Sequence, residues 1–136
     1  MAKILVVEDR AADRELLVTL LTHHGYEVVS SDNGRDALRL AHEQPPDLMV
    51  VDMLVPEMDG LEFTRAVRAA PDIADIPIVI YTATYETWEL EKLARAAGVS
   101  RVLEKPADPQ EILQVVEESL RPSPQGGPGR AARAQT

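Results

Sequence analysis

The sequence predicts an α/β fold in which a parallel sheet of five strands is covered by helices on both faces, a doubly wound (βα)5 arrangement. Five short apolar runs recur along the 136 residues, and a stretch of helical periodicity follows each one. The runs occupy residues 4–7, 28–29 with their flanks, 48–51, 78–81 and 102–103. Uninterrupted apolar strands are typical of parallel sheets buried between two helical layers. Five alternations of strand and helix therefore favour one domain built from five βα units.

The helices are predicted from residues at helical spacing, which are mostly apolar except in the third helix. These positions are, helix by helix, Leu16, Leu17, Leu20 and Leu21; Ala37, Leu38 and Ala41; Leu61, Thr64, Arg65 and Arg68; Leu90, Leu93, Ala94 and Ala97; Ile112, Leu113, Val116 and Leu120. Gly25 and Gly98 are expected to end the first and fourth helices. The fifth helix has the clearest start, because Asp108 can cap it, Pro109 suits its first position and Glu111 would complete a capping box.

The periodicity stops after Leu120, which sets the predicted domain boundary. Residues 1–120 are expected to form the domain. Residues 121–136, RPSPQGGPGRAARAQT, are rich in proline, glycine and alanine and have no apolar period. This composition predicts a disordered tail, and a tail of this length leaves no room for an output domain.

Composition and charge exclude several classes of protein. The chain has no cysteine, which excludes disulfides, thiolate metal sites and a cysteine nucleophile. A net charge of -9 predicts no direct binding to nucleic acid, because an acidic body repels phosphate backbones. No apolar run reaches the roughly 18 residues that a membrane span needs, and the N-terminal run is too short for a signal peptide. We therefore expect a cytoplasmic protein that does not enter a membrane.

Polar side chains follow four of the five predicted strands. Glu8 and Asp9 follow the first, Asp52 the third, Thr82 the fourth and Lys105 the fifth. In an open parallel sheet, ligands bind beyond the carboxyl ends of the strands, so these groups should converge. Carboxylates without nitrogen or sulfur ligands favour Mg²⁺. A carboxylate, a hydroxyl and a lysine around Mg²⁺ indicate phosphoryl transfer, in which a carboxylate can be the nucleophile.

Four motifs together resemble the receiver domains of two-component response regulators. They are ILVVED at 4–9, PDLMVVDMLVPEMDG at 46–60, IPIVIYTA at 76–83 and VLEKP at 102–106. The resemblance covers residues 3–120. It implies a flavodoxin-like sheet with the strand order 2-1-3-4-5.

The resemblance also implies a role for each residue at the strand ends. Asp52 would accept a phosphoryl group from a sensor histidine kinase or a phosphotransfer protein. Lys105 would pair with that group, and Thr82 would be the hydroxyl that moves toward it. The implied Mg²⁺ ligands are Glu8, Asp9, Asp52 and the backbone carbonyl of Leu54. The Lys105-Pro106 bond would be cis, as is usual in the family.

The fourth helix, fifth strand and fifth helix form the dimer or output surface of many family members. We therefore expect a downstream target protein, or a second copy of the chain, to contact Trp88, Lys92, Arg95 and Val102. Trp88 lies about 200° from Leu90 by helical rotation, so it is expected to be exposed if Leu90 is buried. Val102 occupies a position where the family commonly has an aromatic ring that swings inward during switching.

These features predict a stand-alone receiver that couples phosphorylation of Asp52 to protein binding. We expect a self-phosphorylating acceptor with slow dephosphorylation, because Leu54 offers no group to orient water, and not an enzyme that turns over other substrates. Two alternatives stay open. One is a pseudo-receiver, a binding module that never accepts phosphate; the acidic pair, Asp52 and Lys105 count against it, but Val102 in place of the usual aromatic residue leaves it open. The other is an Mg²⁺-dependent phosphohydrolase, which would need a general acid where the chain has Leu54.

Overall fold

The computed structural model describes residues 1–83 and 87–121, apart from the side chains of Thr87, Trp88 and Leu90. Within that part of the chain, five strands and five helices alternate, which confirms the predicted (βα)5 arrangement. The elements are β1 (Lys3–Val7), α1 (Ala11–His23), β2 (Glu27–Ser31), α2 (Gly34–Glu43), β3 (Leu48–Val51), α3 (Gly60–Ala69), β4 (Ile78–Thr82), α4 (Thr87–Ala97), β5 (Arg101–Glu104) and α5 (Pro109–Leu120).

The five strands form one parallel sheet in the order β2-β1-β3-β4-β5. In the register, Val7 of β1 lies opposite Ser31 of β2 on one side and opposite Val51 of β3 on the other. The chain therefore moves outward from β1 in one direction to reach β2, and in the other direction through β3 to β5. This reversal opens a crevice above the carboxyl ends of β1 and β3, which is where ligands bind in sheets of this topology.

Two apolar cores lie on opposite faces of the sheet. Successive side chains of a strand point to opposite faces, so Leu5 and Val7 of β1 enter the core beneath α2, α3 and α4. Ile4 and Val6 enter the other core, beneath α1 and α5. This double burial explains why β3 is apolar at every position and why β1 is apolar from Ile4 to Val7.

Two leucines that the helical pattern placed in the core are instead exposed. Leu16 on α1 is 59% exposed, and Leu93 on α4 is 54% exposed. On α1 the buried residues are Leu17 and Leu21, one turn apart, and Leu16 lies about 100° around the axis from Leu17. On α4 the small residue Ala94 is buried, so Leu93 next to it faces outward. The two helices thus bury narrower stripes than we predicted.

Helix caps define the start of α5 and of α3. The carboxylate of Asp108 accepts a hydrogen bond from the backbone N–H of Glu111 at 2.9 Å, and Pro109 occupies the first turn, as predicted. A full capping box is present at α3, where Asp59 and Glu62 accept hydrogen bonds from each other's backbone N–H groups. The latter cap was not predicted, and it fixes the end of the loop that leads from β3 into α3.

The loop between β3 and α3 packs tightly against the start of α2. The N–H of Gly34 donates to the carbonyl of Pro56 at 3.2 Å. A Cβ atom at Gly34 would lie only 2.2 Å from the carbonyl oxygen of Met58, so glycine is required for this close approach. The contact holds the loop that begins at Asp52.

The end of the described chain coincides with the end of α5. This helix ends at Leu120, and Arg121 is its C-cap. The other residues of the predicted tail, 122–136, lie outside the described part, so the disorder proposed for them stays a prediction. Across the described residues, no helix has both the length and the apolar character needed to cross a bilayer.

Candidate functional site

The sheet itself positions the functional side chains. Glu8 directly follows β1, Asp52 follows β3, Lys105 follows β5, and Thr82 is the last residue of β4. The backbone N–H groups of Glu8, Asp52 and Lys105 each donate to a carbonyl at the end of the adjacent strand, at 3.0, 2.9 and 2.9 Å. Because these bonds continue the parallel pairing beyond the strands, they hold the three side chains at one edge of the sheet.

Asp52 is a buried carboxylate surrounded by hydrogen-bond donors. Its Oδ1 accepts hydrogen bonds from Thr82 Oγ1 at 2.9 Å and from the backbone N–H of Leu54 at 3.2 Å. Its Oδ2 accepts one from Lys105 Nζ at 3.1 Å. Burial acts to raise the pKa of Asp52, but these bonds and one from Glu8 outweigh it and hold the pKa below its ordinary value. The group therefore stays ionised and can act as a nucleophile.

Lys105 contacts three carboxylates at once. Its Nζ lies 2.6 Å from Glu8 Oε2, 3.1 Å from Asp13 Oδ2 and 3.1 Å from Asp52 Oδ2. It also lies 5.4 Å from the centroid of the Tyr81 ring. Burial acts to lower the pKa of Lys105, but the carboxylates more than offset this and raise it above its ordinary value. Lys105 is therefore a permanent cation in the site.

Glu8, Asp9 and Asp52 form a group of carboxylates that can hold a metal ion. One oxygen from each lies within 4.8 Å of the others, with Glu8 and Asp52 buried and Asp9 exposed. Burial raises the pKa of Glu8 to about 7, and Asp52 acts in the same direction while Lys105 opposes it. A bound cation would offset the cost of holding an ionised Glu8 in this buried position beside Asp52. Oxygen donors of this kind fit Mg²⁺.

A cleft gives solvent access to Asp52. Its volume is about 230 Å³. The residues that line it are Asp9, Arg10, Asp52, Leu54, Thr82, Ala83 and Lys105. The cleft thus exposes a buried carboxylate, a hydroxyl and an ammonium to an incoming group. That set can neutralise the oxygens of a phosphoryl group.

The structure brings together the five side chains that the strand ends predicted. Leu54 also lies at the site, but its contact with Asp52 is through its backbone N–H, so its carbonyl as a metal ligand stays a prediction. The Lys105-Pro106 bond is cis, as the resemblance implied.

Two residues of the site were not predicted from the sequence. Asp13 lies in the first turn of α1, and an acidic residue at the start of the helix that follows β1 is the signal that points to it. Tyr81 supports Lys105 with its ring and accepts a hydrogen bond on its hydroxyl from the N–H of Ala107 at 3.2 Å. Its aromatic ring, which follows three aliphatic residues in β4, is the corresponding signal.

The predicted partner surface is described only in part. Lys92 and Arg95 of α4 are exposed, and Val102 of β5 is half-buried. Arg95 and Val102 line a separate cleft of about 230 Å³ between α4 and β5. The side chain of Trp88 lies outside the described part, so its predicted exposure stays a prediction.

The fold and the site define a signalling module of the receiver type, in which an acidic group, a hydroxyl and an ammonium meet at the switch point of a doubly wound sheet. The chain belongs to the response regulator receiver domain family, whose family model matches residues 4–117. This confirms the resemblance seen in the four motifs and places the chain in two-component signalling.

Known proteins with similar sequences and structures agree with this assignment. PilH of Pseudomonas aeruginosa is 30% identical over 117 residues, which cover 85% of this chain and 95% of PilH. The chemotaxis protein CheY4 of Vibrio cholerae superposes with a TM-score of 0.83 and 32% identity, over 88% of this chain and 98% of CheY4. The receiver domain of the sensor histidine kinase PA1611 of Pseudomonas aeruginosa has a TM-score of 0.80 and 28% identity, over 88% and 97% of the two chains. That structure holds a magnesium ion in its active-site cleft.

Proposed function

We propose that the chain accepts a phosphoryl group on Asp52, with Mg²⁺ as cofactor, and that this modification changes what its surface binds. The observation that carries the proposal is the environment of Asp52. This carboxylate is held ionised at the floor of an open cleft, with Thr82 and Lys105 both donating hydrogen bonds to it. A carboxylate that served only to pair with a surface cation would not need a second, neutral donor.

The proposed reaction transfers the phosphoryl group from a phosphohistidine of a sensor histidine kinase or a phosphotransfer protein, or from a small phosphodonor. A carboxylate oxygen of Asp52 attacks phosphorus and the new O–P bond forms. The bond that breaks is the P–N bond of phosphohistidine or, for acetyl phosphate, the P–O bond that releases acetate. The departing imidazole nitrogen keeps the electron pair and takes a proton from solvent. Lys105 donates to the phosphoryl oxygens, and the hydroxyl of Thr82 turns from Asp52 toward them.

Glu8, Asp9 and Asp52 would hold Mg²⁺, with the backbone carbonyl of Leu54 as a further ligand. Mg²⁺, when bound, supplies the positive charge that neutralises phosphoryl oxygens during transfer. The closeness of the three carboxylates supports this. Burial raises the pKa of Glu8, with a smaller contribution from Asp52, and a bound cation would stabilise the ionised form.

The product is a modified form of the chain itself, so we propose a phosphoacceptor and not a turnover enzyme. The exposed side chain of Leu54 beside Asp52 has no group that would orient a hydrolytic water, which favours a long-lived phosphoryl group. We further propose that the reaction takes place in the cytoplasm, which agrees with a chain that has no cysteine available for disulfides.

We place the output at the surface formed by α4, β5 and α5, where a target protein or a second copy would bind. Thr82 ends β4, and the chain reaches α4 within five residues. Movement of the Thr82 hydroxyl can therefore be transmitted along a short stretch of backbone to α4, which carries Lys92 and Arg95. The net charge of -9 argues for a protein partner and against direct binding of nucleic acid.

Intact-mass spectrometry after incubation with acetyl phosphate and Mg²⁺ tests the acceptor. The wild type should gain the mass of one phosphoryl group, and both EDTA and the substitution Asp52→Asn should abolish the gain. Asp32→Asn is the matched control, because Asp32 is an exposed carboxylate at the same edge of the sheet, and it should keep the adduct. An undiminished adduct in Asp52→Asn, or none in the wild type with any donor, would overturn the proposal.

Hydrogen–deuterium exchange tests the output surface. Beryllofluoride, which mimics a phosphoryl group on a carboxylate, should change exchange in residues 87–104 and leave α2 (Gly34–Glu43) unchanged. Unchanged exchange in residues 87–104 of a protein saturated with beryllofluoride would show that the signal leaves through another surface.

A further inference from the structure

One carboxylate of the site has no part in the function proposed above. Asp13 accepts a hydrogen bond from Lys105 Nζ at 3.1 Å, the same distance as the bond from Lys105 to Asp52. It does not belong to the group of oxygens that can hold a metal, which consists of Glu8, Asp9 and Asp52. Its side chain is 36% exposed, whereas that of Lys105 is only 12% exposed.

The three contacts of Lys105 use its full capacity as a donor. An ammonium has three N–H groups, and the structure directs one each at Glu8, Asp13 and Asp52. A lysine side chain has four rotatable carbon bonds, and holding its head in one place costs conformational entropy. The three bonds, with the Tyr81 ring at 5.4 Å, together restrict the ammonium to one position.

The contacts of Lys105 with Glu8 and Asp52 should weaken as the proposed reaction proceeds. This inference therefore rests on the proposed function. When Mg²⁺ occupies the site, Glu8 must share its charge between the metal and Lys105, and two cations on one carboxylate repel each other. When Asp52 carries a phosphoryl group, its free charge moves to the phosphoryl oxygens. The contact with Asp13 involves neither a metal-binding carboxylate nor the reacting one, so neither step weakens it directly.

We propose that Asp13 is a positioning residue that holds the ammonium of Lys105 over the cleft after Mg²⁺ has engaged Glu8. Its place in the first turn of α1 suits this role, because a helix gives it a rigid base next to the metal-binding loop. Arg10 also pairs with Asp13, but its Nε lies 3.9 Å from Asp13 Oδ2, farther than Lys105 Nζ at 3.1 Å. Asp13 therefore tunes the affinity for the phosphoryl group without touching that group.

NMR of the lysine ammonium tests the contact directly. In the wild type saturated with Mg²⁺, the ¹H–¹⁵N signal of Lys105 Nζ should persist, because the group is shielded and hydrogen-bonded. In Asp13→Asn with saturating Mg²⁺ it should broaden through exchange with water. Glu15→Gln is the matched control, since it removes one carboxylate from the exposed face of the same helix, and it should keep the signal. A Lys105 signal equally sharp in Asp13→Asn would overturn the proposal.

Beryllofluoride affinity at saturating Mg²⁺ measures how much Asp13 contributes to binding of a phosphoryl-like group. Asp13→Asn should bind beryllofluoride about two- to fivefold more weakly, the range for a partly exposed ion pair, and Glu15→Gln should bind it as the wild type does. Thermal unfolding midpoints of the two variants should agree, which separates positioning of Lys105 from a structural effect on α1. Equal affinity in Asp13→Asn and the wild type would refute the proposed role. If the wild type itself bound no beryllofluoride, the proposed function would fail, and the NMR experiment would still decide the role of Asp13.

Discussion

Replacing Glu8 with glutamine is expected to change how the free energy of unfolding depends on pH. Glu8 is only 1% exposed, and its pKa rises from the ordinary 4.5 to about 7 in the folded protein. Between these two values the folded chain holds a proton that the unfolded chain has lost. The wild type therefore loses stability as the pH rises through this window, by about 3 kcal/mol in total. Glutamine does not titrate, so Glu8→Gln should escape this loss.

The assay is urea denaturation without added metal, at several pH values between about 4 and 8. The difference in unfolding free energy between Glu8→Gln and the wild type should move by about 3 kcal/mol in favour of the variant across that range. Groups whose pKa does not depend on Glu8 cancel in this difference. Glu15→Gln removes an exposed carboxylate and should show no comparable movement. Parallel pH profiles for Glu8→Gln and the wild type would refute the reasoning, because they would mean that Glu8 does not titrate in this window.

Three further outcomes are expected. Mg²⁺ affinity, measured by calorimetry, should fall as the pH drops below about 7, because protons compete with the metal for Glu8; a flat profile would count against Glu8 as a ligand. Thr82→Val removes the hydroxyl that donates to Asp52 at 2.9 Å, and it should raise the pKa of Asp52 by up to about one pH unit in a ¹³C NMR titration. An unchanged titration would show that this hydrogen bond does not stabilise the carboxylate. Gly34→Ala forces a Cβ toward the carbonyl of Met58 and should lower the unfolding free energy by about 1–3 kcal/mol in urea, and an unchanged midpoint would contradict the close packing of this loop.

Most of the fold could be predicted from the sequence, because its signals are local. Apolar runs identify the strands, and the Asp108 cap with Pro109 identifies the start of α5. The helical faces were predicted less well. Leu16 and Leu93 fit an apolar spacing but are exposed, since the width of a buried stripe depends on how closely each helix approaches the sheet. That distance is a property of the packed layers and is not encoded in one helix.

The sequence by itself determined which chemical groups stand at the ends of the strands, because Glu8 and Asp52 directly follow apolar runs and Lys105 comes two residues after one. Only the tertiary structure decided how those groups divide their hydrogen bonds. Lys105 and Asp13 are 92 positions apart in the chain, and their contact exists because α1 begins beside the loop that follows β5. The pairing of a charge with its partners depends on distances of a few ångströms across several elements, and the tertiary packing sets those distances.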